Sequence, residues 1–207
     1  MASKAYIDGV KTLAERELAD TDVAELVSAM AGGWNAQLIV EAPAPAPHDV
    51  AAITLALSAA ARHTGARYVC VYPDRNSAAE HPAEVVVGEA AEAMGGLEGV
   101  DLLVVDARRG DAAAAVAAAR PGPRGMVVVQ HHAGRRRGCG GGGVALVPAG
   151  KRVVRAAYLP IGKGVEVLHV GVGKGPSLSG GGGGGGRPSR WIRHVDRDTG
   201  EEHVFRR

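Results

Sequence analysis

Two apolar runs that each end in a carboxylate stand out along the chain: Arg67-Tyr-Val-Cys-Val-Tyr-Pro-Asp74 and Val100-Asp-Leu-Leu-Val-Val-Asp-Ala-Arg-Arg109. Their β-branched stretches are apolar at successive rather than alternate positions, the pattern of a strand covered by helices on both faces. Similar runs occur at Gln37-Leu-Ile-Val-Glu41, Ala83-Glu-Val-Val-Val87 and Met126-Val-Val-Val-Gln130. Helical patterns lie around and between them. Residues 3–18 read as a helix, and a second opens at Thr21-Asp22-Val-Ala-Glu25, with Asp22 and Glu25 at capping-box spacing, and stops at Gly32-Gly33. An apolar helix follows from about Asp49 to Arg62, a polar helical turn from Asn76 to Glu80, a short helix from Glu89 to Met94 and an Ala-rich helix from Asp111 to Arg120.

This is a strand–helix alternation repeated five times, and right-handed crossovers turn it into a doubly wound, mostly parallel sheet with helices on both faces. The pattern then changes. Arg152 to Pro160 and Val165 to Val170 are β-rich runs joined by Ile161-Gly-Lys-Gly164, which predicts an antiparallel hairpin at the sheet edge. Seven consecutive glycines, Gly180 to Gly186, read as a flexible tether, and residues 190–195 and 201–205 flank Asp198-Thr-Gly200 as a terminal hairpin. The expected organisation is a Rossmann-like α/β domain over 1–172, a Gly-rich loop over 173–189, and a hairpin extension over 190–207 packed on the same domain.

Length and charge change this picture little. The 207 residues suit one core, and a formal net charge of +2 does not by itself call for a polyanion partner. Cys70 and Cys139 have no metal-ligand or redox spacing, which suits a reducing compartment. The first residues are charged and lack an apolar signal core, and the longest apolar stretch, Ala51 to Ala61, is too short to span a bilayer. No signal peptide and no membrane partner are expected, and the chain is assigned to the cytoplasm or nucleus. In open α/β sheets, ligands bind at the carboxyl ends of the strands, where Asp74 and Asp106 would stand. That placement points to a nucleotide-like small molecule.

With these strands in place, the chain resembles the small class I O-methyltransferases that use S-adenosylmethionine, over about residues 21 to 172. The resemblance is carried by Gln37–Glu41 with its loop and apolar helix, by Val71-Tyr-Pro-Asp74, by Val85-Val-Val-Gly-Glu-Ala90 with Leu97–Asp106, and by the Gly-rich turn in Tyr158–Val165. The whole chain, including Ala29-Met-Ala-Gly-Gly-Trp-Asn-Ala36, Ala60–Gly65 and Ser189–Asp196, is similar to a plant family of unknown function filed beside the methyltransferases. The resemblance implies S-adenosylmethionine as cofactor. Asp74 would take its ribose hydroxyls, Glu89 in Gly88-Glu89-Ala90 would lie near the adenine, and Glu41 would face the methionine part through the loop or a water. Asp106 resembles the strand-four carboxylate, which in metal-dependent members holds a divalent cation beside the substrate, and it is the candidate catalytic residue.

Two departures keep alternatives open. Where a Gly-rich loop should follow the first strand, the chain has Ala42-Pro43-Ala44-Pro45-Ala46-Pro47, and proline has no amide proton to offer a cofactor. Where the metal-dependent family has an Asp-Asn pair at the end of strand five, this chain has Gln130-His131, a poorer site for a hard cation, so no divalent metal is expected. His131-His132 reads as a surface turn, because neighbours on a strand end point apart and no third ligand has diagnostic spacing. Arg135-Arg136-Arg137 lacks interleaved aromatics, which disfavours nucleic acid, and Gly171-Val-Gly-Lys-Gly175 lacks the Ser or Thr of a phosphate loop. The readings that remain are methyl transfer to a small molecule, a non-catalytic ligand or protein binder on the same fold and, weakest, nucleic-acid binding through the late arginines Arg187, Arg190, Arg193, Arg197, Arg206 and Arg207.

Overall fold

The uninterrupted apolar runs become strands whose side chains are buried on both faces. The computed structural model of the chain describes residues 7–8, 10–11, 20–44, 52–75, 82–134, 150–175, 177, 191–195 and 202–206. Five strands, β1 (Leu38–Ala42), β2 (Arg67–Tyr72), β3 (Glu84–Val87), β4 (Leu102–Asp106) and β5 (Met126–His131), alternate with helices α1 (Thr21–Trp34), α2 (Ala52–Thr64), α3 (Ala90–Gly95) and α4 (Ala112–Ala118). The expected hairpin forms as β6 (Arg152–Leu159) and β7 (Val165–Gly171), and the terminal one as β8 (Trp191–Val195) and β9 (Glu202–Arg206).

All nine strands join one sheet in the order β3-β2-β1-β4-β5-β7-β6-β9-β8. The first five pair in parallel, and β7 then enters antiparallel against β5, with Val129 opposite Val167. β9 reaches β6 at Ala156 and Glu202, so the last hairpin extends the same sheet. The architecture is α/β with a mostly parallel sheet and antiparallel strands at one edge, as the sequence predicts.

Strand alternation sends neighbouring side chains to opposite layers. Ile39, Tyr68, Cys70, Leu102, Val104 and Val129 pack under α1 and α2, against Val27 and Leu57. Val40, Val71, Leu103, Val105 and Val128 pack on the other side, against Met94 of α3 and Val116 of α4. Glu41 and Asp106 follow Ile39 and Val104 by two residues, so both carboxylates belong to the α1/α2 side at the strand ends. This is the fold's main contribution to the site.

α1 differs from expectation at both ends. The residue capping it is Asp20, held at φ 60° with no side-chain cap, instead of a box built on Asp22 and Glu25. The helix also runs through Gly32 and Gly33 to Trp34, and Asn35 at φ 50° provides the left-handed stop, its amide donating back to Ala31 and Gly32. The helix expected over 3–18 is helical at 7–8 and 10–11, the rest of it falling outside the described residues. The polar turn over 76–80, the basic run 135–137, Cys139 and the glycine tether over 180–186 also lie outside them.

Candidate functional site

The carboxyl ends of the parallel strands gather most of the charged residues of interest into three groups. The first lies at the ends of β2 and β3. Asp74 stands exposed two residues beyond β2, and Glu89 stands exposed two residues beyond β3. The Gly88 amide donates to the Tyr72 carbonyl at 2.9 Å, which ties the two strand ends together. Glu89 is the N-cap residue of α3, yet its side chain makes no capping bond, so its carboxylate faces outward. Asp74, Gly88 and Glu89, separated by up to fifteen positions in sequence, therefore share one corner of the sheet.

Glu41 is in a different setting. Its carboxylate is buried and accepts hydrogen bonds from the Thr54 hydroxyl at 3.0 Å to both oxygens, from the Tyr68 hydroxyl, and from the Cys70 thiol at 3.3 Å. Burial pushes the carboxyl group above its ordinary value, the three donors pull against that, and the nearby charge of Asp106 pushes further up. Thr54 lies at the start of α2 and the other two donors on β2, so Glu41 locks the end of β1 to both neighbours. The sign of the resulting pH dependence is fixed. A carboxyl group whose folded pKa is raised adds stability below its unfolded value, near 4.5, and loses it as pH rises through the folded value. Urea unfolding of Glu41→Gln across this range is expected to show the variant gaining on the wild type as pH rises above about 4.5; a constant difference at all pH values would contradict the assignment.

The second group closes the floor between β1 and β2. Arg109 is buried, and its Nε and Nη2 atoms donate to the two carboxylate oxygens of Asp111 at 2.7 Å each. Its Nη1 atom donates to the carbonyls of Pro43 at 3.0 Å and Val71 at 2.9 Å. One guanidinium thus pins the entry of the proline-rich loop to β2. Sequence reasoning gives Arg109 no role, although an arginine two residues from an aspartate at a helix start is a local signal for such a fork.

The third group surrounds Asp106. Its carboxylate is buried and takes the Arg108 amide at 2.9 Å and the Arg108 guanidinium at 2.6 to 3.1 Å. It therefore stabilises its own turn and does not cap α4. Burial alone would raise its pKa, but the Arg108 bonds and the neighbouring histidines bring it below the ordinary aspartate value, so it is ionised at neutral pH. β4 and β5 are neighbours with Asp106 opposite His131, and this brings both histidines to the carboxylate.

The surface-turn reading of His131-His132 is corrected by their burial: His131 is 7% and His132 4% exposed. His132 Nδ1 lies 3.3 Å from Asp106 Oδ1, His131 Nε2 lies 4.0 Å from Asp106 Oδ2, and the two rings are 4.7 Å apart. Asp20 Oδ2 stands 3.3 Å from His132 Nε2. The third ligand that sequence spacing fails to supply comes from the adjacent strand, and the three residues offer ligand atoms within 4.8 Å of one another. Burial drives the His131 pKa down to about 4 against the pull of Asp106, and it lowers His132 as well, so both rings are neutral at pH 7. Gln130, expected to flank the site with His131, is two residues beyond Val128 and belongs by alternation to the opposite layer.

Among solved structures, this chain is similar to a candidate caffeoyl-CoA O-methyltransferase from Staphylococcus aureus, at 12% identity and a TM-score of 0.53, covering 77% of this chain and 88% of that one. It is also similar to a candidate O-methyltransferase from Klebsiella pneumoniae, at 13% identity and a TM-score of 0.50, covering 83% and 90%. An O-methyltransferase from Bacillus cereus in complex with S-adenosylhomocysteine matches at 14% identity and a TM-score of 0.47, over 80% and 90%. At such identities the likeness of the first two carries the fold alone. No curated protein matches the chain. A family model described as a protein of unknown function, DUF1442, matches residues 1–207, and the chain belongs to that family.

Proposed function

We propose that this chain binds S-adenosylmethionine across the carboxyl ends of β1, β2 and β4 and directs its methyl group to an oxygen of a small-molecule acceptor. The observation that carries the reading is the sheet order β3-β2-β1-β4-β5-β7-β6 with Asp74 and Glu89 exposed at one end of it and an ionised Asp106 two strands away. When bound, the cofactor supplies an electrophilic methyl group. The exposed pair fits a nucleoside: Asp74 accepts from the ribose hydroxyls, while Glu89 and the Gly88 backbone border the base. Glu41 acts from below by holding the end of β1 and the loop entry in place.

Asp106 is the catalytic residue in this proposal. Its lowered pKa makes it a weak proton acceptor, so its work is to orient the acceptor hydroxyl, and positioning supplies most of the rate. No described helix is long and apolar enough to cross a membrane. The plant origin and the cytoplasmic or nuclear location are part of the same proposal and rest on the sequence resemblance.

One observation favours a second reading, a binder without chemistry. Pro43 follows β1 directly and its carbonyl is held by buried Arg109, so the entry of the loop that would cradle the methionine part is tied down, and the prolines at 43, 45 and 47 have no amide proton to donate. Incubation with methyl-labelled cofactor and a panel of phenols, catechols and carboxylates separates the two. Methyl transfer predicts label in an acceptor and a loss of about a hundredfold in rate for Asp106→Ala. Cofactor binding with no labelled product from any acceptor would leave the binder.

A further inference from the structure

We propose that Asp106, His131 and His132 form a binding site for one divalent transition-metal ion of the borderline class, such as zinc, cobalt or nickel. The inference stands independently of methyl transfer, since it rests on the donor set alone.

Three observations carry it. First, neither nitrogen of His132 has a hydrogen-bond partner although the ring is more than nine-tenths buried, and the likewise buried His131 brings its Nε2 to 4.0 Å from Asp106 Oδ2. Buried polar nitrogens left unmade cost stability, and a neutral imidazole lone pair facing a carboxylate gains nothing until a cation stands between them. The 3.3 Å between His132 Nδ1 and Asp106 Oδ1 is close but misaligned for a hydrogen bond, whereas it suits two ligands of one ion.

Second, consecutive residues of an extended strand point to opposite faces, so a His-His pair converges only if the backbone breaks the alternation. His132 does so at φ 60°, a left-handed conformation that a non-glycine residue rarely adopts and that the surrounding structure must hold in place. That conformation turns the second ring back toward Asp106.

Third, the surroundings are those of a metal site. Asp20, whose side chain does not cap α1, stands 3.3 Å from the outer nitrogen of His132, the position of a carboxylate that orients a metal-bound histidine. Arg108 saturates Asp106 from the solvent side and is itself half exposed, so it neutralises the carboxylate without the ion and can swing away when one enters. Two imidazoles and a single carboxylate select a borderline ion over magnesium or calcium, which demand a fuller set of oxygen ligands.

Calorimetric titration of the chelator-treated full chain with zinc, and visible absorption with cobalt, provide the test. The expected result is one ion per chain with nitrogen-ligand bands for cobalt and no response to magnesium. His131→Asn and His132→Asn should each weaken binding at least tenfold, and Asp20→Asn about ten- to a hundredfold through the outer contact. Arg108→Gln should tighten it, an outcome that general damage to the fold would not give. Absence of stoichiometric zinc or cobalt binding by the wild type overturns the proposal. So does binding that survives intact in the His131→Asn/His132→Asn double variant with its circular dichroism unchanged, because the ion would then sit on other histidines.

Discussion

Replacing Arg109 by alanine is expected to cost about 3 kcal/mol or somewhat more of folding stability, the lower part of the range for breaking a buried ion pair. The lower part applies because the Asp111 side chain keeps 26% of its surface exposed and can recover some hydration. The loss has two sources. Asp111 keeps its charge without its fork, and the buried Val71 carbonyl loses its guanidinium donor together with the Pro43 carbonyl. For a chain of this size the change corresponds to a drop of about 6–12 °C in melting temperature. Arg109→Lys should recover little of it, since one ammonium cannot hold a carboxylate with two parallel bonds and reach two carbonyls on different segments. Urea unfolding of the three proteins checks this. A loss below about 1 kcal/mol in Arg109→Ala would mean that the clamp between the β1 loop and β2 is not a structural element.

Replacing Asp74 by alanine is expected to weaken binding of S-adenosylhomocysteine by about a hundredfold or more. A carboxylate that accepts two ribose hydroxyls makes charge-assisted hydrogen bonds worth about 1.5–3 kcal/mol each, and every 1.4 kcal/mol is a factor of about ten. Asp74 is exposed, so the truncated protein should retain its fold, as circular dichroism can verify. Asp74→Asn should lie between the two, because the amide oxygen still accepts but without charge. Equal affinity for wild type and Asp74→Ala would remove Asp74 from the ribose site.

The strands are legible in the sequence because their signal is local. A run such as Leu102-Leu103-Val104-Val105 is buried at every residue, and its pattern already distinguishes it from an alternating surface strand. The β6–β7 hairpin is legible for a similar reason, with a Gly-rich turn between two helix-free runs. Asp74, Gly88 and Glu89 can be assigned to one end of the sheet because parallel strands bring their carboxyl ends together. What is not legible depends on contacts between elements. The carboxylate of Glu41 is surrounded by Thr54, Tyr68 and Cys70, which come from a helix and a strand 13 to 29 residues away.

The histidine pair escapes a sequence reading for a geometric reason. Alternation along a strand correctly predicts that neighbours diverge, but residue type gives no warning that His132 takes a left-handed conformation. The partnership with Asp106 also requires the β4–β5 register, which places Asp106 opposite His131 across 25 positions of sequence. Asp20 is hidden in the same way: the capping-box spacing singles out Asp22 and Glu25, while it is the side chain of Asp20 that stands 3.3 Å from His132.

Whether the carboxyl end of this sheet is a cofactor site is tested most directly by calorimetric titration of the wild-type chain with S-adenosylhomocysteine, with adenosine as a competitor. The expected result is saturable binding of one molecule per chain, displaced by adenosine and accompanied by a rise in melting temperature, because a ligand that binds only the folded state stabilises it. Absence of saturable heat and of any thermal shift at millimolar ligand would contradict a cofactor site at these strand ends and leave the fold without its proposed cofactor.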